Sequence, residues 1–168
     1  GLGLPVVVVQ NRFPDDDDGA LARVERRMAD LGVRATTSDA FARGGEGALE
    51  LAREVQDQLA STSTSPPRPR YAYELDAPLA TKLDAVARSF YGADGVELTP
   101  RAMKDLARLE QTGPLGVPVC VAKTQLSLSD DPARRGVPSG FRVRVRELRE
   151  SRGAGFVVAL AGDISTMP

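Results

Sequence analysis

A chain of 168 residues with 42% hydrophobic content can build one core or two small lobes, and 22 Lys plus Arg against 23 Asp plus Glu, a net charge of -1, give it no field that favours nucleic acid or an anionic membrane. The absence of histidine excludes a Ser-His-Asp triad, a Cys-His pair and histidine-ligated metal within the chain, and the single Cys120 excludes an internal disulfide or a cysteine zinc cluster. No apolar stretch approaches the roughly 20 residues that span a bilayer and no basic-then-apolar leader opens the chain, so a cytoplasmic setting with neither nucleic-acid nor membrane partners is expected.

Gly1 stands where an initiator Met would be, and Pro168 follows a Gly162-Asp163 turn signal, so both ends are expected to be cut from something longer. Pro5 to Val9 contains four consecutive valines, a run apolar on both faces that suits a strand buried between helix layers of a parallel sheet. Asn11, Arg12, Phe13 and Pro14 then lead into Asp15 to Asp18, after which Leu21, Val24, Met28 and Leu31 recur at helical spacing before Gly32. A second apolar strip covers Gly32 to Thr36, and Gly44-Gly45-Glu46-Gly47 opens a helical pattern carrying Leu49, Leu51, Val55 and Leu59. This βαβα rhythm predicts an α/β fold with a mainly parallel sheet flanked by helices.

Ser61 to Arg70 (STSTSPPRPR) reads as an extended surface connection. The expected division is therefore a βαβα segment with ligand-facing loops over 1–60, a linker over 61–70 and a C-terminal α/β lobe over 71–168. In that lobe Leu79, Leu83, Val86 and Phe90 predict a helix from Pro78 to Tyr91 stopped by Gly92, Val96 to Leu98 a short strand, and Thr99-Pro100 the capped start of a helix running towards Thr112. Val117 to Ala122 is a further buried-strand candidate, with Cys120 read as a small core residue. Arg142 to Arg146 alternates as a half-exposed strand does, and Phe156 to Ala161 is apolar throughout.

Ligands of open α/β sheets collect beyond the carboxyl ends of the strands. Three loops there are candidates: Asn11 to Asp18, Phe41 to Gly47, and Lys123 to Asp131. Phe13 and Phe41 are unusual, since aromatics are 5% of the chain and both sit in polar, loop-like contexts; two such rings could sandwich a flat heterocycle, or each could plug a core edge. Gly44, Gly45 and Gly47 could let a ligand approach backbone, or simply form a flexible helix entry. They are not a phosphate-binding Walker A loop, because none of Lys82, Lys104 and Lys123 follows a glycine. Asp15 to Asp18 suggest a metal only weakly; capping and complementing the helix dipole explain them better, so no metal site is expected. Lys123, at a strand end, could meet an anionic group or simply be exposed.

Taken together, PVVVVQNRFP (Pro5 to Pro14), FARGGEGALEL (Phe41 to Leu51), YGADGV (Tyr91 to Val96), PVCVAKTQLSLSDD (Pro118 to Asp131) and GAGFVVALAGDISTMP (Gly153 to Pro168) resemble, in the same order, the formate-tetrahydrofolate ligases. The resemblance covers nearly the whole chain and implies the C-terminal lobes of a P-loop-NTPase-like ligase. Such an enzyme makes 10-formyltetrahydrofolate, ADP and phosphate from ATP, formate and tetrahydrofolate through formyl phosphate, as a homo-oligomer when intact. It also implies that ATP with Mg is held mainly by an upstream domain, and that this fragment alone has no catalytic residues and is inactive. By the same resemblance Asn11, Phe13, Pro14, Phe41, Gly44, Gly45, Glu46 and Gly47 form a binding wall for the folate and purine rings, with Lys123, Thr124 and Gln125 as further candidates. Phe41 stands where the family usually has tryptophan, Asp15 to Asp18 depart from its Thr-Asp pattern, and the family's residues beyond Pro168 are missing. The alternative from another class is a non-catalytic binding or oligomer-assembly module derived from that enzyme.

Overall fold

β-Branched residues favour the extended chain, and Val7–Asn11 forms strand β1. In the computed structural model, which describes residues 2–62, 67–111 and 115–162, the chain divides into two units, Gly3–Pro69 and Arg70–Pro168 with Gly1–Leu2. In the first unit β1 lies parallel to β2 (Arg34–Ser38), Asn11 opposite Ser38. The crossover is helix α1 (Asp18–Asp30), capped by the Asp17 carboxylate, which accepts from Gly19 N at 3.1 Å and Ala20 N at 3.0 Å. Gly32, at φ 67°, supplies the left-handed residue that ends it. After β2 come a short helix α2 (Ala40–Arg43), a 3₁₀ segment (Gly44–Ala48) and α3 (Leu49–Thr62).

Two expectations change here. The valine strand is not buried: Val6 is 58% and Val9 37% exposed, because among the described residues β1 and β2 pair only with each other and have too few neighbours to dry both faces. Phe41 to Gly47 is not an open loop but continuous helical turns. The backbone closes on itself there, Asp39 N–H donating to Gly47 O at 3.0 Å.

The second unit is a four-stranded sheet in the order β3-β5-β6-β4: β3 (Val96–Leu98), β5 (Val143–Ser151), β6 (Phe156–Ala161) and β4 (Val119–Ala122). β3 pairs with β5 and β4 with β6 in parallel, while β5 and β6 form an antiparallel hairpin. Gly155, at φ 72°, allows that tight turn and donates to Ser151 O at 2.8 Å. Helix α4 (Leu79–Tyr91) ends at left-handed Gly92. Helix α5 (Pro100–Leu109) starts at Thr99, whose hydroxyl accepts from Ala102 N and donates to Arg146 O. The helices cover one sheet face, packing Leu79, Leu83, Ala102 and Leu109 against Val145, Leu148, Val157 and Ala159. Side chains alternate across a strand, so Val119 and Val121 join this core while Cys120 points away and is exposed, not a core residue. The expected helix end near Thr112, the middle of the 61–70 connection and the motif's last residues after Gly162 lie outside the described residues.

Burial also takes in a charge that the sequence reading passed over. Lys82 sits between Leu79 and Leu83 with its side chain fully buried, and its ammonium donates to Leu115 O at 2.5 Å and Val117 O at 2.9 Å. Desolvation lowers its pKa, against the opposing pull of Glu110 and Asp76.

Candidate functional site

The parallel register of β1 and β2 sends both strands' C-terminal ends to one rim, and the Arg12 N–H extends the ladder to Ser38 O at 2.9 Å. The residues that follow, Phe13 after β1 and Phe41 in α2, therefore meet. Their ring centroids are 5.1 Å apart with a 56° tilt, within the ordinary range for an aromatic pair. Phe13 is 48% and Phe41 70% exposed, so neither ring plugs a core. Nor do they form an open sandwich. A planar ligand between two rings needs centroids roughly 7 Å apart, two layers of van der Waals contact, so a flat ring must lie across the pair or part it.

Each ring has a defined backbone under it. Asn11 ends β1, and Phe13-Pro14-Asp15-Asp16 is a turn in which Asp16 N–H donates to Phe13 O at 3.1 Å and the Asp16 carboxylate accepts Phe13 N–H at 2.8 Å. Arg12 pairs with Asp18 at 2.6 Å on the exposed side. Under Phe41, Ala42 and Arg43 N–H groups return to Asp39 O. Gly47 is required by packing, since a Cβ there would lie 2.3 Å from the Asp39 carbonyl carbon and oxygen. Gly44, at φ 56° and ψ -138°, needs glycine for its backbone angles. Around Gly44 and Gly45 a Cβ would meet nothing, so the backbone there is open to solvent. Glu46 is exposed, 3.5 Å from Arg43.

The third loop belongs to the other unit. Lys123 turns inward: its ammonium donates to Thr124 O at 3.1 Å and to Ser127 O, and lies 4.8 Å from the centre of the Tyr91 ring. Burial lowers its pKa while Asp130 raises it. The Thr124 hydroxyl accepts from Leu126 N at 3.2 Å, and Gln125 is exposed. A cleft of about 550 Å³ opens beside this loop, lined by Thr99, Thr124, Asp130, Asp131, Arg144 and Arg146 among others. Its two arginines and two aspartates offset one another. The sequence reading missed the turn-locking role of Asp16, which Phe-Pro-Asp-Asp signals as a turn with proline at its second position.

The family model described as formate–tetrahydrofolate ligase matches residues 1–168. The chain belongs to the formate–tetrahydrofolate ligase family. It is 48% identical over 167 residues to the formate–tetrahydrofolate ligase of Myxococcus xanthus (strain DK1622), covering 99% of this chain and 30% of that protein. It is 47% identical over 167 residues to that of Symbiobacterium thermophilum (strain DSM 24528 / JCM 14929 / IAM 14863 / T), covering 99% of the chain and 29% of the relative. The chain thus spans about three-tenths of the ligases it matches, and among its described residues no helix is long and apolar enough to cross a membrane.

Proposed function

We propose that this chain is the part of a formate-tetrahydrofolate ligase that presents an aromatic surface to the flat rings of its substrates, the pterin of tetrahydrofolate and the purine of ATP. One observation carries the reading: two half- to mostly-exposed phenylalanines in contact at one rim of a parallel strand pair. Exposed aromatic rings gain both from covering apolar area and from offset stacking. Since the rings touch, a ligand either stacks on the outer face of Phe41 or rotates it away from Phe13. Asn11 and Pro14 shape the turn beneath Phe13, and Gly44, Gly45, Glu46 and Gly47 shape the floor beside Phe41. Lys123, with its donors engaged, acts with Thr124 and Gln125 by shaping the third loop.

The intact protein, on this reading, is a cytoplasmic, ATP-dependent carbon-nitrogen ligase of P-loop-NTPase-like ancestry and a homo-oligomer, working on formate, ATP and tetrahydrofolate without nucleic-acid or membrane partners. Among the described residues no three His, Cys, Asp or Glu side chains are grouped to hold a metal ion. On this reading magnesium and the nucleotide phosphates are held mainly by the remainder of the ligase, and this fragment alone is inactive. The proposed division is 1–60 for the ring-binding segment, 61–70 for the linker and 71–168 for the second lobe, with α3 carrying helix two residues into that linker, to Thr62. The test is isothermal titration of tetrahydrofolate into the full-length protein, wild type against Phe41→Ala. Stacking worth about 0.5 to 1.5 kcal/mol predicts roughly 2- to 12-fold weaker binding; unchanged affinity and turnover would remove the role.

A second reading, an assembly module, draws on the sheet face opposite α4 and α5, where Cys120, Ala122, Phe156 and Val158 line a shallow groove. Sedimentation of the chain discriminates: a stable oligomer without tetrahydrofolate affinity favours assembly.

A further inference from the structure

We infer that Asp16 is a positioning residue, holding Phe13 so that its ring meets Phe41. The inference rests on the ring-binding reading only for its functional consequence. The geometry is reciprocal: the Asp16 carboxylate takes the Phe13 N–H at 2.8 Å while Asp16 N–H returns to the Phe13 carbonyl at 3.1 Å. With both backbone polar groups of Phe13 tied to one residue, and Pro14 fixing φ at the second turn position, the Cα–Cβ bond of Phe13 has one direction. The preceding residue is tied as well, Arg12 N–H to Ser38 O, and the following one, Asp17, caps α1. The ring is therefore anchored from both sides of the turn, and the carboxylate of Asp16 supplies the bond that neither anchor provides.

Three of the four consecutive aspartates thus have separate tasks. Asp18 pairs with Arg12, Asp17 caps the helix, and Asp16 locks the turn. For Asp15 the structure suggests no comparable task. This division explains how the ring pair persists at two exposed positions where no core holds either ring: the constraint comes from backbone hydrogen bonds, and substituting the single acceptor releases it.

The test compares Asp16→Ala, Asp16→Asn and Asp17→Ala in the 168-residue chain by NMR, reading the proximity and mutual ring-current shifts of the Phe13 and Phe41 rings without ligand. Expected are loss of the ring contact in Asp16→Ala and its retention in Asp16→Asn, whose amide oxygen accepts the same N–H. Asp17→Ala, which uncaps α1 but spares the turn, should also retain it. Retention in Asp16→Ala, or equal loss in Asp17→Ala, overturns the inference, the latter because general fraying of α1 would then be the cause. Should Asp16→Ala fail to fold, Asp16→Glu takes its place. It keeps the charge but moves the acceptor by one methylene, so it should lose the contact that Asp16→Asn keeps; the reverse order overturns the inference. Tetrahydrofolate titration of the full-length protein separates the two readings. A roughly 2- to 12-fold weakening in Asp16→Ala supports both. Loss of ring contact with unchanged affinity supports the positioning role and removes the ring-binding function.

Discussion

The two units make opposite use of their apolar residues. In the second, leucines and valines from α4, α5, β5 and β6 are fully buried, and even the Lys82 side chain is drawn in among them. In the first, among the described residues, Ser38 is the one that is buried; Val7 and Val8 are half-buried, and Val9 and the two phenylalanines remain open to solvent. Among the described residues, a two-stranded sheet with three α-helices and a 3₁₀ segment has too little interior to dry both faces of a strand. The difference teaches that one unit is held by its own core, whereas the other is held by caps, turns and ladder bonds and, within this chain, leaves apolar surface uncovered. An aromatic pair on such a surface gains more from covering by a ligand than it contributes to folding.

The comparison can be broken by substitution, beginning in the core. Leu83→Ala should cost about 2 to 5 kcal/mol, read as lost amide-exchange protection in β5 and β6; a cost under 1 kcal/mol would mean that the second unit has no such core. Lys82→Met should cost about 1 to 3 kcal/mol, because the carbonyls of Leu115 and Val117 lose their donor. It should also change the alkaline limb of stability. The lowered folded pKa means that the folded chain releases this proton first, so between that value and the ordinary 10.5 the unfolded chain binds more protons and stability rises with pH. That contribution is complete above 10.5 and lost as pH falls through the folded value; denaturant titrations of Lys82→Met should show no such rise.

In the first unit, Gly47→Ala should cost about 1 to 3 kcal/mol through overpacking against Asp39 and should shift the α2 turn beneath Phe41, seen as altered amide shifts from 39 to 47. The smallest stability effect belongs to Phe41→Ala, under about 0.5 kcal/mol for so exposed a side chain, measured by the same denaturant titration. A larger loss would show Phe41 working as a core residue and would erase the contrast between the units.

Much of this was legible in order along the chain, where the signal is local. Gly32, Gly92 and Thr99-Pro100 mark helix ends because left-handed angles, a missing N–H and a side-chain acceptor act within a few residues. The motifs NRFP, GGEG and AKTQLSLSDD, read together, point to the family for the same reason. Cys120 was misjudged because an apolar run carries no mark of which face lacks a helix. The sandwich of Phe13 and Phe41 was misjudged because ring separation depends on rotamers and register.

By itself, then, the sequence determined most of the elements, several of their caps and the ligase ancestry, all of which rest on neighbours in the chain or on the identity of residues. Tertiary structure alone decided that two distant phenylalanines touch, that Lys82 is buried between leucines, and that one sheet face stays open. Those outcomes depend on strand register and on which helices cover which face, and both are set by packing between residues far apart in sequence.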